Sequence, residues 1–189
     1  MIEVLKAAKA IQQFFDEQRW DFAFIGGIAV NRWGRARTTN DADVCLFTDF
    51  GSEELFIDAV LSRFTSRIDD ARGFAIANRV LLLAAPNGFG IDISLGAFDF
   101  ERSAVARSSL FEFPGGVELR TVSAEDLVVF KAFAGRDQDW FDVDGILARQ
   151  APTIDISQVE RDLAPLCELK GAPENLERLR RLWRNATAD

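Results

Sequence analysis

Two aspartates one residue apart, Asp41 and Asp43, close the run Arg37-Thr38-Thr39-Asn40-Asp41-Ala42-Asp43, and a third, Asp92, stands between Ile91 and Ile93. On a strand, residues two apart project from the same face, so the pair roots its carboxyls about 6.6 Å apart. That spacing suits oxygen atoms that share one divalent ion or bridge two ions about 4 Å apart. Asp92 alternates with apolar neighbours in the same way and can turn to the same open face. Like charges at i and i+2 repel unless a cation compensates them, so the sequence predicts a cation here. Taken singly, Asp41 reads as a turn residue after Thr38-Thr39-Asn40, and Asp92 as a solvated edge position.

Ahead of the pair, the β-prone run Phe22-Ala23-Phe24-Ile25 ends at Gly26-Gly27. A strand, a glycine turn and a helix start leave backbone N–H groups facing an anion, helped by the helix dipole. Arg32, Arg35 and Arg37 follow, and they either pair with triphosphate oxygens or neutralise Asp41 and Asp43 in an inert cluster. Later, Lys131 sits in the Phe-rich run 127–135, with Arg136 and Asp139 just beyond. Such a lysine either snorkels to solvent or reaches nucleotide phosphates, with Asp139 orienting it. Arg178, Arg180, Arg181 and Arg184 give the last helix a basic side, read as a solvated face partly paired through Glu177 and Arg181, or as an RNA contact.

Composition narrows the chemistry further. The 189 residues contain no His, which removes the usual general base and every Ser/His or Cys/His arrangement. Oxygen ligands without imidazole select Mg²⁺ or Mn²⁺. Thirty acidic against 22 basic residues give a net charge of −8, so any polyanion must be met by a local patch. Two distant cysteines, Cys45 and Cys167, are too few for a disulfide framework or a zinc site and are expected as reduced thiols. With no charged-then-apolar leader and no apolar run near the roughly 20 residues of a membrane span, a cytoplasmic protein without a membrane partner is expected.

The elements that would position these groups can be read along the chain. Residues 3–18 carry Val4, Leu5, Ala8, Ile11, Phe14 and Phe15 at helical spacing. A strand at 22–25, a short helix at 30–33, a loop at 35–40 and a strand at 42–47 follow. Ser52 is the expected N-cap of a helix to about Phe64. Strands at 79–85 and 90–95 flank the Pro86-Asn87-Gly88 turn, a helix covers 98–107, and a second hairpin turns at Pro114-Gly115-Gly116. From Ser123 onward the pattern is helical, with four helices. The fold class is therefore α+β, a mixed sheet flanked by helices over residues 1–121 and a helical lobe over 122–189.

Together these motifs resemble the DNA-polymerase-β-like nucleotidyltransferase superfamily, in particular its abortive-infection and toxin–antitoxin branch. The resemblance rests on Gly26-Gly27, the Arg-x-Thr-x-Asp-x-Asp run ending at Asp43, the later Asp92, Lys131, and the Arg136-Asp137-Gln138-Asp139 segment with Asp142 one turn on. It spans residues 22 to about 145. It implies that Asp41, Asp43 and Asp92 hold Mg²⁺ or Mn²⁺ and do the catalysis with Lys131. It implies that Gly26, Gly27, Arg32, Arg37, Thr39, Lys131, Arg136 and Asp139 bind the NTP substrate. The implied acceptor is a tRNA or a protein hydroxyl, with a cognate antitoxin as partner. A small-molecule acceptor of the aminoglycoside or lincosamide kind is the alternative implied by the same motifs, and a non-catalytic nucleotide- or partner-binding role is the third reading.

Overall fold

The computed structural model describes residues 2–85 and 87–188. It is an α+β protein built on a seven-stranded mixed sheet. The chain divides into two compact units, residues 1–28 with 38–122 and residues 29–37 with 123–189.

In the first unit, α1 (Ile2–Gln18) buries Val4, Leu5, Ala8, Ile11 and Phe15 along one stripe. It leads into β1 (Phe22–Phe24) and the first turn of α2 (Gly26–Trp33). Next come β2 (Asp41–Phe47), α3 (Glu53–Leu61), β3 (Thr65–Ser66), α4 (Ala71–Asn78), β4 (Val80–Ala84) and β5 (Gly90–Gly96). The unit ends with α5 (Asp99–Ala106), β6 (Ser109–Phe113) and β7 (Val117–Thr121). The sheet order is β3-β4-β5-β2-β1-β7-β6. β2 runs parallel to β5, and β1 parallel to β7, while the remaining pairs are antiparallel.

Strand alternation gives the sheet two distinct faces. Ala42, Val44, Leu46, Ile91, Ile93 and Leu95 join α1 in a continuous core with Phe15, Phe22 and Phe24. Each fully buried side chain of that size contributes about 1.5–3 kcal/mol, which is why this face tolerates no charge. Cys45 and Phe47 point the other way, where α5 lies: a Cβ on Gly96 would stand 3.0 Å from Cys45 Sγ, and the Arg102 guanidinium covers Phe47. Both contacts involve the late halves of β2 and β5, so the early halves keep their outer face for polar groups.

The second unit holds the remainder of α2 with α6 (Ala124–Ala134), α7 (Asp137–Gln150), α8 (Ile156–Lys170) and α9 (Pro173–Ala186). Leu127, Val128, Val143, Ile146, Leu147, Val159, Leu163 and Leu179 are buried in it. Ser123 caps α6 by accepting from the Asp126 amide, and Gly135 ends it at φ 72°, a left-handed angle that favours glycine. Arg149 and Gln150 donate to the carbonyls of Gly34 and Trp33 and fasten the end of α2 within this unit.

Several local expectations are corrected. The stretch 65–78, with no element assigned from the sequence, carries β3 and α4. A two-residue strand has no period to detect, and Gly73 dilutes the helical pattern of an eight-residue helix capped by Asp70. Gly26 and Gly27 lie in the first turn of α2 rather than ahead of it. Ser52 occupies the N-cap of α3 without a side-chain capping bond, and Glu177 pairs with Arg180 rather than Arg181. β4 and β5 pair antiparallel as the expected hairpin, although Pro86 itself lies outside the described residues.

Candidate functional site

Parallel pairing of β2 with β5 sets Asp43 directly beside Asp92, and Asp41 beside Gly90. Paired residues share a face, so all three carboxylates emerge on the side opposite the apolar core. Each is half-buried, and one oxygen from each lies within 4.8 Å of the others. This is the donor set that hard divalent cations prefer, and carboxylates at this separation can bind one ion or bridge two.

The glycines bear on this cluster through the absence of a side chain. Gly26 sits at φ 56°, and a Cβ there would fall 1.8 Å from Asp43 Oδ2. A Cβ on Gly27 would fall 2.3 Å from Thr39 Oγ1. The start of α2 thus presses its bare backbone against Asp43 and Thr39, and its first-turn amides have no intrahelical acceptor. Thr39 Oγ is 3.2 Å from both the Asp41 carbonyl oxygen and Asp41 Oδ1, to which it donates, fixing the approach to β2. The Ile25 amide donates to the Asp43 carbonyl and locks β1 against β2 at the same level.

The cation that the sequence requires is supplied in part by a residue the sequence does not mark. Arg67 Nη2 lies 2.5 Å from Asp92 Oδ1. Desolvation raises the Asp92 pKa, Arg67 pulls it down and Asp41 pushes it up, leaving it above the ordinary aspartate range. Nothing in the local pattern around Arg67 signals this role, because it depends on register across three strands.

In the second unit the remaining site candidates form their own network. Lys131 is buried, with Nζ 3.0 Å from Asp139 Oδ1 and 2.9 Å from Asp142 Oδ2. Arg37 holds Asp142 through Nε and Nη2 at 2.9 and 3.0 Å, and Arg136 Nε holds Asp139 at 2.6 Å. Burial works to raise both carboxylates. The hydrogen bonds from Arg37 and Lys131 at Asp142, and from Arg136 and Lys131 at Asp139, outweigh it and hold both below the usual value. Lys131 therefore does not snorkel. Arg32 stacks on Trp33, and Arg35 pairs with Asp144. On α9, Arg180 is held by Glu160 and Glu177, while Arg178 lies over the Trp140 ring.

A hollow of about 690 Å³ in the first unit, lined by Phe14, Glu17, Arg63 and Phe64, includes none of the carboxylates. Shape alone would place a ligand there. The hollow gathers no group of three carboxylates, whereas the acidic cluster offers a donor set that could hold a metal ion.

No protein-family model matches the chain, and no curated protein matches its sequence. Among solved structures, an antigenic nucleotidyltransferase-like protein from Paracoccidioides brasiliensis superposes with a TM-score of 0.54 at 15% identity, covering 95% of this chain and 93% of that one. The chain therefore has the fold of that nucleotidyltransferase-like protein. The antibiotic-resistance factor ANT(2'')-Ia matches at TM-score 0.46 and 17% identity, over 97% of this chain and 92% of that one. The lincomycin-bound lincosamide antibiotic adenylyltransferase LnuA matches at 0.48 and 12%, over 75% and 94%.

Proposed function

We propose that this protein is a metal-dependent nucleotidyltransferase that moves a nucleoside monophosphate from an NTP to an acceptor hydroxyl. The observation that carries the reading is the meeting of Asp41, Asp43 and Asp92 on the open face of two parallel strands. A donor set of three carboxylates in a chain without His fits Mg²⁺ or Mn²⁺. Such an ion, when bound, supplies charge neutralisation at the phosphates and a template for in-line displacement.

The chain's own residues would do the rest. Asp41, Asp43 and Asp92 would hold the ion, and the N-terminal turn of α2 at Gly26 and Gly27 would offer backbone N–H groups to the triphosphate. Thr39 would keep Asp41 in place. Asp92 would accept the proton of the acceptor hydroxyl as its oxygen forms a bond to the α-phosphorus and the bond from that phosphorus to the bridging oxygen breaks, releasing pyrophosphate. Within the second unit, Lys131 would hold Asp139 and Asp142, which position Arg136 and Arg37. We propose a tRNA or a protein hydroxyl as acceptor in a cytoplasmic, toxin-like enzyme with a cognate antitoxin, as the motifs from Gly26 to Asp142 imply.

The net charge of −8 favours a second acceptor class, a cationic small molecule of the aminoglycoside kind. Pyrophosphate release from each of the four NTPs, with Mg²⁺ or Mn²⁺ and with total tRNA, a soluble protein extract, an aminoglycoside or none of these, separates these readings. Release that depends on an acceptor and disappears in Asp41→Asn with Asp43→Asn supports transfer. NTP binding without release under every condition identifies a non-catalytic binding protein and ends the proposal.

A further inference from the structure

Resting on the metal-site reading above, we infer that Arg67 is a built-in counter-cation of the carboxylate site, a positioning residue that competes with the incoming ion for Asp92. Ser66 faces Leu83, so the next residue, Arg67, aligns with Leu82, to whose carbonyl its amide donates at 3.0 Å. Leu82 pairs with Asp92, and Asp92 with Asp43. Arg67, Leu82, Asp92 and Asp43 therefore form one lateral row on one face of the sheet. The Arg67 side chain crosses Leu82 and ends on Asp92 Oδ1.

Gly90 makes the seat. A Cβ there would stand 2.3 Å from Arg67 Nη1 and 3.5 Å from the Asp41 Cβ. The guanidinium thus lies over bare backbone, between the row of Asp41 and that of Asp92. Ser66 Oγ, which accepts from the Ile68 amide and donates to the Ile68 carbonyl at 2.8 Å, fixes the turn from which Arg67 reaches. A cation held at this spot answers the mutual repulsion of the carboxylates in the metal-free protein. An ion that takes Asp92 Oδ1 as ligand displaces the guanidinium from it, and one that takes Oδ2 meets a like charge close by, so Arg67 weakens metal binding while stabilising the empty site.

The measurement is Mn²⁺ affinity by calorimetry without nucleotide, alongside metal-free thermal unfolding, for the wild type, Arg67→Met, Arg67→Lys, Gly90→Ala and Asp43→Asn. Arg67→Met should bind Mn²⁺ about tenfold more tightly, a partly exposed charge-assisted pair being given up beforehand, and should unfold earlier without metal. Arg67→Lys, which keeps the charge without the fork, should fall between the two. Gly90→Ala evicts the guanidinium tip while leaving the arginine in place, and should shift affinity in the same direction even if Arg67→Met folds poorly. Unchanged or weaker Mn²⁺ binding in both Arg67→Met and Gly90→Ala overturns the inference while leaving the metal site standing. If neither the wild type nor Arg67→Met binds Mn²⁺ in a way that Asp43→Asn removes, the metal reading itself fails and takes this inference with it.

Discussion

Replacing Lys131 by Met tests whether the charged network of the second unit is a stabilising element. Met fills nearly the same volume, so the substitution removes a charge without opening a cavity. Lys131 Nζ sits 2.9–3.0 Å from one oxygen each of Asp139 and Asp142, whose side chains are 1% exposed. Removing one partner from a buried ion pair costs about 3–5 kcal/mol, because the other charge stays buried without it. Arg37 and Arg136 stay on the same carboxylates, but Arg136 is 76% exposed and its help is screened by water. The expected loss is therefore about 3 kcal/mol, the lower end of that range, or about 6–12 °C in Tm for a chain of this length. The pH dependence adds a second readout. Asp139 and Asp142 titrate below the ordinary 3.8 in the folded protein. A depressed folded pKa contributes stability that is complete above the unfolded value and is lost as pH falls through the folded one. The gap between wild type and Lys131→Met should thus be widest near neutral pH and shrink below about pH 4, as measured by thermal unfolding followed by circular dichroism. A Tm change under 2 °C at neutral pH, or a gap that widens on acidification, would refute the reasoning.

Three further outcomes follow from the carboxylate site. Saturating Mn²⁺, at about 100 times its dissociation constant, should stabilise the wild type by about 2.7 kcal/mol and leave Asp41→Asn with Asp43→Asn unmoved, as read by thermal unfolding with and without metal. Gly26→Ala should lose about 1–2 kcal/mol from the left-handed φ alone, and more from a methyl forced onto Asp43 Oδ2, with metal affinity falling in parallel by calorimetry. Asp92→Asn should raise metal-free stability at neutral pH while abolishing Mn²⁺-dependent pyrophosphate release. The sign follows from the raised pKa of Asp92: a carboxyl that binds its proton more tightly when folded costs stability once ionised, and the amide removes that cost.

What the sequence made legible is what local periodicity can carry. Asp41 and Asp43 alternate with Ala42 and Val44, and Asp92 with Ile91 and Ile93, so their shared face follows from the period of a strand. Their convergence required only that β2 and β5 be neighbours. The helices from Ser123 onward were equally legible, since caps such as Ser123 and stops such as Gly135 act within a few residues. Arg67 was not legible, because its alignment with Asp92 passes through Leu82 on an intervening strand and begins in a two-residue strand without a pattern. The bond from Arg37 to Asp142 spans 105 residues and was invisible for the same reason.

The two acidic groupings differ in a way that residue type alone hides. Asp139 and Asp142 are among the most buried charged groups of the chain, yet three cations bring both below their ordinary pKa, and the network holds its own unit together. Asp92 is more exposed, yet its pKa moves upward, because desolvation and Asp41 outweigh the one arginine held against it. A sheet selected for stability alone would not set Asp41, Asp43 and Asp92 side by side, and the core face of the same two strands carries apolar residues instead. The metal reading proposed above accounts for carboxylates gathered at such a cost, since a small, hard cation would gain from all three at once.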